Sequence, residues 1–88
     1  MGSYRIEFKQ SAEKDIRRIG AKSIPKIIER VEALSDDPFP RRSVKLSGTE
    51  ATYRVRVGSY RVIYSVDRET ETIVVYYVRH RREAYRQL

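Results

Sequence analysis

Residues 52–66, TYRVRVGSYRVIYSV, alternate apolar and polar side chains on both sides of a Gly58-Ser59 pair, and this stretch limits the possible folds more than any other. Period-two alternation marks strands with one buried face. A two-residue Gly-X connection signals a type II′ hairpin, because glycine accepts the positive φ of the first turn position. Such a turn pairs Val57 with Tyr60, so that Arg56 lies opposite Arg61 and Arg54 opposite Ile63. Tyr53, Val55, Val57, Tyr60, Val62, Tyr64 and Val66 then share the other face, an apolar surface that requires a cover. Like charges directly opposite on a sheet destabilise by some tenths of a kcal/mol up to ~1. Three guanidinium groups on one face therefore point to a use other than stability.

The rest of the chain supplies the cover. Tyr4 to Phe8 alternates as a first strand, with Tyr4, Ile6 and Phe8 on one face. Ser11 is expected to cap a short helix that runs to about Gly20, with Ala12, Ile16 and Ile19 at helical spacing. Ser23 is expected to cap a second helix in which Pro25 falls in the first turn, where a missing N–H is harmless. Ile27, Ile28, Val31 and Leu34 form its apolar stripe, and Asp36-Asp37-Pro38 ends it. Two helices so close together read as a helical hairpin covering one face of a sheet.

From Phe39 to Glu50 the pattern is that of a loop, or of a loop with a short edge strand near Val44–Leu46, and it carries Arg41, Arg42 and Lys45. Strands follow at about 51–57, 60–66 and 72–79, the last nearly continuously apolar (TIVVYYV) and so central in the sheet. If Asp67–Glu71 is a five-residue loop, Arg61 faces Tyr77, and Tyr77 and Arg79 join the basic face. A four-residue loop turns both away, and the five-residue reading is preferred. Arg79 to Leu88 is polar and reads as a terminal helical turn with Arg81 and Tyr85 four apart on one side. The fold expected is α+β: a small, mostly antiparallel twisted sheet of about four strands with an N-terminal helical hairpin on one face, a single domain over residues 1–88.

Charge sharpens this. Residues 1–40 hold eight basic and seven acidic side chains, residues 41–88 eleven and five, and fourteen of the nineteen basic residues are arginine. Arginine's planar fork binds phosphate bidentately and stacks on bases, so a polyanionic partner is expected. There is no cysteine and one histidine, His80, which leaves no multi-histidine or thiolate metal site and no two-histidine nuclease centre. No Gly-rich phosphate loop or Ser-His-Asp set occurs, and no cofactor is expected. No apolar run approaches 18 residues, so no membrane partner is expected and a cytoplasmic location is the default.

The order strand, two helices, Y-R-V-R-V-G-S-Y-R-V-I-Y and H-R-R-E-A-Y-R, over nearly the whole chain, resembles the RelE/ParE superfamily of toxins from toxin–antitoxin modules. For the RelE branch the resemblance implies an mRNA interferase: a ribosome-dependent, metal-independent endoribonuclease that cuts mRNA in the ribosomal A site, with a cognate antitoxin as partner. Matched by position, Arg54 and Arg56 are the basic pair before the hairpin turn, Arg61 the basic residue after it, Arg79 the one ending the last strand, and Arg81 and Tyr85 belong to the terminal motif, as His80 does in many relatives. The roles expected are phosphate holding and charge stabilisation by Arg61, Arg79 and Arg56, and general base chemistry by Tyr85, with His80 as the rival because imidazole is a common proton-transfer group in catalysis. Arg54, Lys45, Arg81, Arg41 and Arg42 are expected to bind flanking RNA. The alternatives are a ParE-like inhibitor of DNA gyrase, which shares the fold without this Arg/Tyr set, and a non-catalytic basic RNA-binding module.

Overall fold

In the computed structural model, which describes residues 3–46, 48 and 51–80, the chain runs β1 (Arg5–Phe8), α1 (Gln10–Arg18), α2 (Ile24–Ala33), β2 (Val44–Lys45), β3 (Thr52–Val57), β4 (Tyr60–Asp67) and β5 (Thr72–His80). The strands form one sheet in the order β1-β5-β4-β3-β2. Every neighbouring pair is antiparallel except β1 and β5. The sheet thus has five strands rather than about four, since Val44 and Lys45 pair with Arg54 and Tyr53 as a two-residue edge. β5 lies between β1 and β4, which accounts for its nearly unbroken apolar run, although the middle strand is β4.

The helices cover one face. Ala12 and Ile19 from α1 and its end, and Ile27, Val31 and Leu34 from α2 and its end, pack with Val55, Val57, Val62, Tyr64, Val66, Ile73, Val75 and Val78 in one buried cluster. Ser23 stands at the N-cap of α2 as expected, but its hydroxyl makes no capping bond. Lys9, not Ser11, holds the N-cap position of α1. Ser11 lies inside the helix, and its hydroxyl donates to the Tyr76 carbonyl at 2.5 Å. One turn on, the Asp15 carboxylate accepts the backbone N–H of Val78 at 3.0 Å. β1 pairs with β5 only through Val75, so α1 takes over as hydrogen-bonding neighbour of that edge. Four helical residues rise ~6 Å and two strand residues ~6.8 Å, close enough for two side chains to meet two backbone groups.

The β4–β5 connection corrects the expected loop. Asp67 still pairs with Thr72, leaving four residues between the strands, and the Asp67 carboxylate accepts the N–H groups of Glu69 and Thr70. Taken alone, that length would send Tyr77 and Arg79 to the helix side. A bulge intervenes: Tyr64 pairs with Val75 but Ile63 with Tyr77, so Tyr76 is the extra residue. Bulges shift side-chain parity by one, and Tyr77 and Arg79 return to the arginine face. Arg61 consequently lies opposite Arg79, not Tyr77.

Tyr64 anchors the loop after α2. Its ring is buried, its hydroxyl donates to the Pro38 carbonyl at 2.8 Å, and it stacks on Tyr53, which meets Phe39 edge-on. Burial pushes the Tyr64 phenol up to about 12, with the Ser43 hydrogen bond pulling the other way. A folded-state value above the ordinary 10 means that the fold favours the neutral phenol; this contribution to stability is present below pH 10 and is lost as pH rises toward 12. In a spectrophotometric titration, one of the seven tyrosines should ionise near pH 12, and Tyr64→Phe should abolish that late step. Its survival in the variant would overturn the assignment. Tyr64→Phe should also destabilise by ~1–3 kcal/mol, since the Pro38 carbonyl loses its buried donor.

Candidate nucleic-acid interface

The hairpin turn sets the site. Gly58 has φ +60° and Ser59 does not share the positive region, as a type II′ turn requires. Val57 pairs with Tyr60, Arg56 with Arg61 and Arg54 with Ile63, the register expected from the turn. Paired residues share a face, so Arg56, Arg61 and Arg79 form a row across three neighbouring strands. With strands 4.7–4.9 Å apart, the outer two are about 10 Å from one another. Arg54 stands beside the row, one pair further along β3.

This row lies on the face that α1 and α2 leave uncovered. Ile63, buried on the same face, is flanked by Arg54 and Tyr77. The carboxylates of the face, Glu7 and Asp67, stand at the other end of the sheet beside Val74 and Thr72, and Glu7 is paired with Arg5 at 3.2 Å. Among the described residues, one acid is seen to reach the row from outside it. Asp15, almost fully buried, accepts from Arg79 Nε at 2.9 Å with the same oxygen that receives the Val78 N–H. The Arg79 guanidinium also lies 4.6 Å from the Tyr77 ring centre, a cation–π contact. Held on two sides through Nε and ring stacking, Arg79 is pre-aimed. Arg56 is steadied by a longer bond from its Nε to the Gly58 carbonyl, 3.3 Å. Such an arrangement is suited to hold a phosphate across its guanidinium forks.

Other sequence-based candidates are not brought to the row. His80 pairs with Tyr60, so it faces the helix side. It meets the Tyr60 ring edge-on at 5.6 Å and borders a small cleft with Asp15 and Arg18. Lys45 pairs with Tyr53 and shares that residue's side of the sheet, while exposed Val44 takes the arginine side. Arg41 is exposed in the turn before β2. Arg42 borders a cleft with Arg56, Lys26 and Arg30. Arg81 and Tyr85 lie outside the described residues.

Three residues escaped the reading of the sequence. Asp15 was legible as an acid on the Ala12-Ile16-Ile19 stripe, three residues after Ala12, a place where a carboxylate must find a partner. Lys26 and Arg30 were legible as an i, i+4 pair of like charges on α2, an arrangement that weakens an isolated helix.

Comparison with known proteins agrees with this architecture. The model of the ParE toxin family of type II toxin–antitoxin systems, parDE, matches residues 6–85. Toxin RelG of Mycobacterium tuberculosis is 27% identical over 85 residues, covering 96% of this chain and 98% of that protein. The archaeal RelE–RelB complex from Pyrococcus horikoshii includes a chain that superposes with a TM-score of 0.79 at 30% identity, over 90% of this chain and 96% of that one. The toxin–antitoxin complex RelBE2 from Mycobacterium tuberculosis gives a TM-score of 0.79 at 28% identity, over 88% and 96%. With its helical hairpin on one side of a five-stranded sheet and nearly its whole length matched, the chain belongs to the RelE/ParE superfamily of toxins of type II toxin–antitoxin modules.

Proposed function

We propose that this toxin is a ribosome-dependent endoribonuclease of the RelE kind that cuts mRNA in the A site without a metal ion. The Arg56–Arg61–Arg79 row carries the reading, because three cations side by side on the sheet face opposite the helices suit a phosphodiester that gains negative charge as it reacts. In the reaction, the Tyr85 phenolate takes the proton of the ribose 2′-OH, and the 2′ oxygen attacks phosphorus. The phosphorane's charge is held by Arg61, Arg79 and Arg56. The 5′ oxygen then leaves and takes up a proton, giving a 2′,3′-cyclic phosphate and a 5′-OH end. Guanidinium groups around a phenol favour its phenolate, the role the resemblance gives Tyr85, whereas the strand position of His80 faces the helices. Arginine hardly gives up a proton at any ordinary pH, so the row acts by charge rather than as an acid.

The partner expected is a cognate antitoxin, as in the RelE–RelB complexes this chain resembles, with acidic segments complementary to the basic half of the chain. Incubation with translating ribosomes followed by mapping of mRNA 5′ ends tests the reading. Cuts within A-site codons are the expected result, and intact mRNA would sink it. The parDE name of the matching family model favours a second reading, gyrase inhibition, which predicts loss of supercoiling with mRNA intact. Tyr85→Phe should lower cleavage at least tenfold, general base effects being typically ~10²–10⁴-fold, with unchanged thermal unfolding; full cleavage in this variant would remove Tyr85 from the mechanism.

A further inference from the structure

β2 pairs only with Tyr53 and Arg54, so among the described residues the last part of β3, up to the Gly58 turn, has no strand neighbour on that edge. α2 runs alongside, and between the two lies an open groove of about 580 Å³. Lys26 and Arg30 enter it from α2, Arg42 from the loop before β2 and Arg56 from β3, with Glu29 as the carboxylate among them. Among the described residues, four cations and one acid line the space. Lys26, Arg30, Arg42 and Arg56 are all exposed, so their charges are directed at solvent rather than consumed in the core. Like charges at i, i+4 weaken a helix, a cost that an anion in the groove would reverse.

We propose that this groove binds the sugar-phosphate backbone of single-stranded RNA flanking the cleaved bond, an extension that rests on the nuclease reading above. Arg56 links the two surfaces, because it belongs both to the arginine row and to the groove wall. A strand whose reacting phosphate lies over Arg61 can pass Arg56 at the open edge of β3 and enter the groove without crossing another element of the sheet. Contacts of this kind hold phosphates and carry no base identity, so the groove adds affinity without adding sequence preference. The continuity of the two basic surfaces through Arg56 suits one RNA strand that runs from the reacting phosphate into the groove.

The test uses the full chain and a fluorescent single-stranded RNA carrying 2′-O-methyl groups, which cannot be cleaved, so binding is read independently of the chemistry. Lys26→Ala/Arg30→Ala should weaken binding at least tenfold at low salt and lower the slope of log affinity against log salt by about 1.4, at ~0.7 per phosphate contact on a single strand. Lys14→Ala/Arg17→Ala, the same charge removed from exposed α1 positions, is the control and should change affinity far less. Equal losses in the two double variants would reduce the effect to net charge and overturn the proposal. So would unchanged RNA affinity in the α2 variant accompanied by lost binding of a polyglutamate peptide, which would make the groove a protein-docking surface. If mapping of mRNA ends fails while the α2 variant still loses RNA affinity selectively, the groove stands as an RNA-binding site, and its place beside a cleaved bond falls with the nuclease reading.

Discussion

Arg61→Ala is expected to lower ribosome-dependent cleavage by about 10²-fold while leaving unfolding unchanged or slightly improved. Arg61 is the middle of the row, with Arg56 paired on one side and Arg79 on the other. Removing one preorganised donor to a developing anion costs ~2.7–4 kcal/mol of barrier in the best measured cases. Truncation also relieves two cross-strand repulsions of some tenths of a kcal/mol each. Arg61→Lys separates charge from shape: it keeps the cation but loses the bidentate fork, and should fall between wild type and alanine. Single-turnover cleavage with thermal melts on the same preparations reads both effects. Wild-type cleavage by Arg61→Ala would remove the row from the chemistry, and a large drop in melting temperature would mean that Arg61 is structural instead.

Asp15→Ala should destabilise the protein by about 3 kcal/mol, a large share of what a domain of this size possesses. The carboxylate is nearly fully buried and receives two donors, the Val78 N–H and Arg79 Nε, on a single oxygen. Alanine strands both at once. The Val78 N–H loses its partner where β1 has already ended, and Arg79, one-fifth exposed in its side chain, loses its counter-ion. Asp15→Asn keeps an acceptor for the N–H but not the charge, and should lose about half as much. In a double-mutant cycle with Arg79→Ala, the coupling should exceed ~1 kcal/mol, because neighbours in one buried network do not add. Urea midpoints measure all four proteins, and additive losses would show that Asp15 and Arg79 do not act as a pair.

The two outcomes differ in how far their causes could be seen in the chain. The Arg56–Arg61 pairing was visible, since a Gly-Ser turn with strict alternation on both sides leaves one register open, and every residue involved lies within ten positions. The helical hairpin was equally visible, because apolar spacing, Pro25 and the Asp-Asp-Pro stop are local signals. The place of Arg79 followed from a wrong intermediate step. The loop is one residue shorter than expected, and the bulge at Tyr76 restores the parity that the shorter loop would have reversed. No local pattern in TIVVYYV announces that bulge. Ser11 was assigned to a helix cap on local grounds but bonds Tyr76, 65 residues away. Lys45 looked like a companion of the arginines until β2 paired with β3 in a register that sends it to the other side.

What the amino-acid order determined on its own is what neighbours within a turn or a strand can decide: the hairpin, the helices, the apolar face and the excess of arginine in the second half. What only the folded chain decided is which of those arginines meet, who holds them and where they open onto a groove. Side-chain parity in a sheet passes from strand to strand through loops and bulges, so one unpaired residue reverses everything beyond it. Asp15 and the α2 cations acquire their roles only when distant segments pack, and nothing within their own helices records which partner that will be.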